Sequence, residues 1–369
     1  MSASATAVSP ASTSIRKPAV VGSGPGCSAQ IRNSYRAGVP GGTVPNTSAA
    51  QASSNGGWGG LSRATTRCAL MAGIYPRVSF QTLGGDAGTG HSGVMSATIG
   101  TRVSRAEVRV DGETASYLTV PQDGLPLLLL HGTYWSRVWL PVLDQLADAG
   151  LRPLAVDLPG LGRSGGELTA ATATVPALAD WVARFASSAG LAGPVAVAGH
   201  DIGGAIAQHL LVHDRLRVTR LALVNSVLYD SWPAPHVARF RDLGSTADDV
   251  LAARREAVAR SLAGAATEQR VAEYVDPWTE ARVRRSWLAL AAAADHRYTL
   301  DLVPALRRSA VPKLLIWGED DAHERVEYAE RFASEMPYTR LVRVPGADHI
   351  PTENAPDRIG RTLGRFFAP

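Results

Sequence analysis

Val195-Ala196-Val197-Ala198-Gly199-His200-Asp201-Ile202-Gly203-Gly204 is the stretch that decides how this chain folds. Its four leading apolar residues read as a strand, and Ala205-Ile206-Ala207-Gln208-His209-Leu210-Leu211 continues with helix-compatible composition. Glycines stand two residues either side of Asp201 and let the turn tighten without Cβ clashes. Strand, sharp turn and helix in that order lift one side chain above the carboxyl edge of a parallel sheet. Turns of this kind usually present a serine. Here the residue is an aspartate, and that exchange governs the chemistry the chain can perform.

Working outward, Ala106–Val110 and Ala115–Val120 read as a hairpin around Asp111-Gly112, and Leu127–Leu130 as a short strand apolar on both faces. Val138 to Ala149 carries apolar residues at helical spacing and ends at Gly150. Pro153–Val156 reads as another buried strand. It runs into a Gly/Pro turn, Asp157-Leu158-Pro159-Gly160-Leu161-Gly162-Arg163-Ser164, and a helix over Val175–Ser188 leads back to the central turn. Leu221–Val224 is a further strand. From about 226 to 306 the sequence is helical in character, without strand punctuation. Strand signal returns at Lys313–Trp317 and Arg340–Val344, and a helix near Pro356–Phe367 closes the chain. Strands alternating with helices predict an α/β fold, a mostly parallel sheet flanked by helices, with a helical cap inserted after the sixth strand.

Four motifs in this order carry a resemblance: His131-Gly132, the Asp157–Ser164 turn, the Gly-x-Asp-x-Gly turn at Asp201, and Gly346-Ala347-Asp348-His349. Together they resemble the α/β-hydrolase fold over residues 105–369, in the branch with an aspartate nucleophile that holds epoxide hydrolases and haloalkane and fluoroacetate dehalogenases. The resemblance implies catalysis without a cofactor or metal. Asp201 is then the nucleophile and His349 the base. Asp321, three residues after Gly318, orients the base, with Asp320 the competing acid. The backbone N–H groups of Thr133 and Ile202 supply an oxyanion hole.

An aspartate attacks a strained or activated sp³ carbon well and an ester carbonyl poorly, because the latter gives an anhydride. The product of attack is an alkyl ester on Asp201, which water activated by His349 then cleaves. An epoxide oxygen needs a proton, which relatives take from cap tyrosines; Tyr298 is the first choice here, with Tyr229 and Tyr274 behind it. A halide needs N–H donors. Haloalkane dehalogenases place a Trp directly after the nucleophile and fluoroacetate dehalogenases an Arg; here that position is Ile202, which counts against dehalogenation. Tyr134, Trp135 and Trp139 are expected to line an aromatic pocket, Tyr134 being able to donate to the leaving oxygen, with Trp232 and Tyr229 at the cap entrance. His131 and His200 read as loop-shaping residues, Arg163 as a brace of its turn, and Arg254-Arg255 and Arg284-Arg285 as solvated helix faces.

The expected function is therefore opening of an epoxide to a diol, on a small hydrophobic or aromatic substrate. The alternatives are a dehalogenase using cap donors such as Trp232, an ester or C–C hydrolase, and a ligand-binding protein that has lost turnover. Residues 1–95 differ in kind: they are rich in Ser, Ala, Gly and Thr, and their seven basic residues and one acid give a formal charge of +6. The whole chain is +4, which leaves −2 for residues 96–369 and removes the case for nucleic acid as a partner. The segment reads as a disordered extension or as sequence upstream of a start at Met95. Both cysteines, Cys27 and Cys68, lie in it, so the folded part has no disulfide framework. No apolar run is long enough for a membrane span or a secretory h-region, and a cytoplasmic location is expected. A homodimer is left open.

Overall fold

The chain's architecture rests on one twisted sheet. The structure, a computed structural model, describes residues 80–81, 102–242 and 246–368. Within them the strands are β1 (Phe80–Gln81), β2 (Ser104–Val110), β3 (Glu113–Thr119), β4 (Leu125–Leu130), β5 (Leu151–Val156), β6 (Val195–Asp201), β7 (Val218–Ser226), β8 (Lys313–Gly318) and β9 (Thr339–Val344). Their spatial order is β1-β2-β3-β5-β4-β6-β7-β8-β9. β1 to β3 and the β3–β5 pair run antiparallel, and every pairing from β5 to β9 is parallel. Of residues 1–95 only Phe80–Gln81 are described, as an edge strand paired with β2; the expectations for the rest, the start at Met95 included, lie outside the described residues.

The helices follow the punctuation of the sequence. They are α1 (Leu143–Asp148), α2 (Val175–Ser188), α3 (Ile202–Val212), α4 (Pro235–Asp242), α5 (Ala247–Ser261), α6 (Glu268–Val275), α7 (Ala281–Ala292), α8 (Arg297–Leu300), α9 (Val303–Leu306), α10 (Val326–Glu335), α11 (Pro351–Asn354) and α12 (Pro356–Phe367). Thr174 caps α2 by accepting from the Ala177 N–H, and Thr246 with Asp249 forms a capping box on α5. The helix expected over Val138–Ala149 is divided. Ser136–Val142 is a 3₁₀ turn containing Pro141, and α1 starts only at Leu143. Proline lacks the N–H an α-helix needs, so the helical spacing upstream of it does not become a continuous helix.

Central strands are buried on both faces: Leu127, Leu128, Leu129 and Leu130 of β4 are all fully buried, as are Val197 and Ala198 of β6. Between β7 and β8 the described residues form only helices and turns, α4 to α9, which make the cap. Named side chains tie cap to core. Trp135 Nε1 donates to the Tyr274 carbonyl at 3.0 Å, Arg285 pairs with Glu167 at 2.7 Å, and Arg163 pairs with Asp276. Buried Arg137 reaches Glu353 at 2.5 Å and Glu273 at 3.2 Å, while the Tyr274 hydroxyl donates to the same Glu353 oxygen at 3.0 Å. Among the described residues no helix is long and apolar enough to cross a membrane.

The first turn of α3 is pressed against the end of β4. A Cβ at Gly203 would lie 2.4 Å from the Leu130 carbonyl oxygen and 2.6 Å from that of His131. Both obstacles are backbone, so neither can rotate away. Gly203→Ala is expected to cost about 2–3 kcal/mol, in the upper range for overpacking, and to lower the thermal midpoint by several degrees in a circular-dichroism melt; an unchanged midpoint would show that this contact does not set the position of α3.

Candidate active site

Asp201 ends β6 and caps α3 with φ 55° and ψ −130°, a left-handed conformation that a non-glycine residue rarely holds. The Val227 N–H and Ser226 Oγ both bond its carbonyl oxygen, at 3.1 and 3.2 Å, and pin the turn. Its carboxylate is buried beside Gly132, where a Cβ would stand 2.5 Å from Asp201 Cγ. Only glycine admits the carboxylate there. Thr133 donates twice to Asp201 Oδ2, from its N–H at 2.8 Å and its hydroxyl at 2.7 Å. Ile202, the other expected oxyanion donor, begins α3 directly beside the carboxylate, but the recorded bonds to Oδ2 come from Thr133.

His349 stands on the other side. Its Nε2 is 3.9 Å from Asp201 Oδ2, and its Nδ1 is 2.8 Å from Asp321 Oδ2. Asp321 is fixed in turn. Asn225 Nδ2 donates to the same oxygen at 2.7 Å, and the N–H groups of His323 and Glu324 donate to Asp321 Oδ1 at 2.7 and 3.0 Å. Asn225 Oδ1 accepts from the Gly318 N–H at 2.9 Å, which settles the orientation of that amide. Asp320, the competing acid, is exposed at the surface. His200 Nε2 donates to the His349 carbonyl at 2.7 Å, so it holds the loop that carries His349.

The charges are arranged with one cation between two anions. Burial opposes charge on all three groups. For His349 it is outweighed by Asp321 and Asp201, which hold the imidazole pKa well above its usual range. For Asp201 it is outweighed by His349 and the Thr133 N–H, and for Asp321 by His349 and Asn225, so both carboxyls titrate below the usual carboxylate range. The surrounding histidines are neutral: burial lowers His200 and His323 to about 4 and His236 to about 3. Burial, with Asp201 and Asp321 adding to it, drives Glu324 well above the usual range and keeps it a neutral acid.

A model of the alpha/beta hydrolase family matches residues 127–362. The chain belongs to that family. It is a hydrolase, and its relatives include haloalkane dehalogenases. A haloalkane dehalogenase of Bradyrhizobium diazoefficiens is 29% identical over 315 residues, 74% of this chain and 96% of that protein. The (E)-2-((N-methylformamido)methylene)succinate hydrolase of Acinetobacter baylyi is 24% identical over 253 residues, covering 65% of this chain and 89% of its own. In fold, the chain is similar to the ligand-free epoxide hydrolase CorEH, with a TM-score of 0.61 and 24% identity over 72% of this chain and 99% of that one.

Against this hydrolase frame, the remaining expected site residues separate into two groups. Tyr134 is inside: its ring is 5.9 Å from that of His349 and its hydroxyl donates to Ser261 Oγ at 2.9 Å. Trp232 is buried with its indole N–H unpartnered. Trp135 is buried too, but its N–H is already used on the cap backbone. Tyr298 is elsewhere. Its carbonyl accepts from His209 near the end of α3, about two helical turns from Asp201, and its charged neighbours are Asp295 and Arg297. Tyr229 turns its hydroxyl to Glu335 at 3.1 Å under the Arg331 guanidinium, away from the site. Tyr274 is spent on Glu353. Tyr229 and Tyr274 have their hydroxyls on Glu335 of α10 and Glu353 of α11, partners that sequence spacing cannot reveal.

Other residues escaped the sequence reading. Arg254 was expected on a solvated face and is 1% exposed; its partner in sequence, Arg255, is the solvated one. Glu324 and Asn225 gave one signal each, a polar side chain at the carboxyl end of a sheet strand. The pH dependence follows from the shifts. A raised histidine pKa contributes stability that is fully present below the ordinary histidine value and is lost as pH rises through the folded value. The stability gap between wild type and His349→Gln should therefore be widest below the ordinary histidine pKa and narrow as the pH is raised above it in urea titrations. A constant gap would mean that the imidazole carries no charge between the carboxylates.

Proposed function

We propose that this hydrolase opens an epoxide through an alkyl ester on Asp201. The observation that carries the reading is the division of labour between the two carboxylate oxygens: Oδ2 is held by both Thr133 donors, whereas Oδ1 has no recorded hydrogen bond. Oδ1 attacks the epoxide carbon as the C–O bond breaks. Tyr134, whose hydroxyl now rests on Ser261, turns to protonate the leaving oxygen, and the imidazolium of His349 returns the proton to the phenolate. Esterification removes one of the two anions that kept His349 charged, so the neutral imidazole is formed at the moment a base is needed.

In the second half, His349 takes a proton from water and the hydroxide adds to the ester carbonyl. The negative charge develops on Oδ2, where the Thr133 N–H already points. Collapse expels the diol and restores the Asp201 carboxylate beside imidazolium. The proton count closes without exchange with solvent. Halide displacement gives no alkoxide to take the proton from His349, so the imidazolium must first lose it to solvent.

A second reading, dehalogenation, is supported by the unpartnered buried indole N–H groups of Trp232 and Trp287, since a departing halide needs such donors. It also agrees with the haloalkane dehalogenase relative. Intact mass separates the two. His349→Gln incubated with a panel of epoxides and alkyl halides should stall as an ester and lose about a thousandfold in kcat. An added mass of the whole epoxide, absent in Asp201→Asn, is the expected result. An adduct lacking the halogen, with no label from epoxides, would transfer the assignment to dehalogenation. No adduct from any compound that the wild type consumes would overturn the alkyl-ester route.

A further inference from the structure

One buried group has no role in the steps above. Arg254 lies on α5 with 1% exposure, and its Nε and Nη2 atoms have no hydrogen-bond partner among the described residues. Among the described residues no carboxylate forms an ion pair with it. Aromatic faces surround it instead: the guanidinium carbon is 4.6 Å from the Tyr134 ring centre, 5.4 Å from Trp278 and 5.5 Å from Trp287. Rings stabilise a cation in part. They do not satisfy its N–H donors, and a guanidinium cannot shed its charge as a buried lysine can. A buried, permanent charge with two idle donors is a site awaiting an anion.

Its position ties it to the reacting groups. Tyr134, under the guanidinium, is also the neighbour of His349. His323 lies 5.4 Å from the His349 ring and meets the His236 ring at 4.1 Å with a 41° tilt, and beyond burial the charge of Arg254 lowers the pKa of His236 and His323. The two idle donors have a geometry of their own. Nε and Nη2 form one edge of the guanidinium plane, the edge that grips both oxygens of a carboxylate side by side. The indole N–H groups of Trp278 and Trp287 are idle as well.

We propose that Arg254 binds the carboxylate of the substrate, and that the hydrolase acts on an aromatic or apolar carboxylic acid rather than on a neutral molecule. The carboxylate takes the Nε/Nη2 edge, and the rings of Tyr134, Trp278 and Trp287 enclose the apolar part. The proposal rests on the reading above for the place of Tyr134 and His349, but its test involves no chemistry, so the two can fail separately.

Calorimetric titration of the full chain with 2-naphthoate and with 2-naphthamide compares a carboxylate with a neutral isostere, neither able to react. Wild type should bind the carboxylate about tenfold tighter or more, as expected of a charged hydrogen-bonded pair. Arg254→Gln should remove that preference, and Arg254→Lys should keep part of it. Equal binding of the two by wild type overturns the proposal, and that comparison needs no variant to fold. A preference that survives in folded Arg254→Gln also overturns it. Sodium bromide binding as tightly as 2-naphthoate would assign the guanidinium to a departing halide instead. A mass-trapping result of either sign leaves this comparison intact.

Discussion

Asp201 holds a backbone conformation that costs about 1–3 kcal/mol for a residue with a side chain, and the rest of the site depends on that strain being maintained. The turn raises the carboxylate above the sheet edge while keeping its carbonyl within reach of the chain leaving β7. Two close approaches make it tenable: α3 against the end of β4 at Gly203, and the carboxylate against Gly132. The first fixes where the helix begins. The second fixes where Oδ2 lies, and so which oxygen Thr133 restrains and which one is free to react.

The electrostatics follow from that placement. Three ionised groups, Asp201, His349 and Asp321, sit in a region where each alone would pay a large desolvation penalty. They survive as a set because every carboxylate oxygen in contact with the histidine has a second donor, Thr133 for Asp201 and Asn225 for Asp321. Nearby titratable groups are silenced. His200, His236 and His323 stay neutral and Glu324 stays protonated. Apart from the Arg254 guanidinium beyond Tyr134, charge thus lies along one line across the site, and a change on Asp201 is felt strongly by His349.

Legibility in the sequence tracks how local each feature is. The elbow, the Asp157–Ser164 turn and the Gly346–His349 loop are short segments whose glycines, prolines and polar residues answer to backbone geometry within the segment. Their reading located Asp201, Asp321, His349 and Thr133, which the fold brings together. Leu127–Leu130 was legible because a strand buried on both faces is apolar throughout. The split of the helix near Pro141 was available in the sequence, but apolar spacing outweighed one proline. Cap residues were different. Tyr229 and Tyr274 each bond a carboxylate far away in sequence, Glu335 and Glu353, and Tyr298 lies on a short helix, where its carbonyl meets His209 of α3. Arg254 and Arg255 are adjacent arginines with opposite fates, because consecutive helical residues point about 100° apart.

That contrast bears on how reaction and specificity are divided in this molecule. The groups that are proposed to make and break bonds belong to loops at the carboxyl edge of the sheet, fixed by backbone contacts that leave little freedom. The groups around the Arg254 guanidinium come mostly from α5, the turn before α7, and α7 itself. α6, the turn before α7 and α7 are held to the core through Trp135, Arg137, Arg163 and Arg285, whereas the end of α5 is held through Ser261, which meets the Tyr134 hydroxyl and the Ile350 N–H beside His349. A substitution in α6 or α7 can therefore alter what is bound without moving Asp201 or His349. Tyr134 is where the two halves meet. It follows Thr133, the donor to Asp201 Oδ2, directly in sequence, bonds Ser261 of the cap through its hydroxyl, and lies beneath Arg254. The one ring that lies beside both His349 and the proposed anion site comes from the core, so binding of a carboxylate at the cap has a direct route to the hydroxyl proposed to protonate the leaving oxygen.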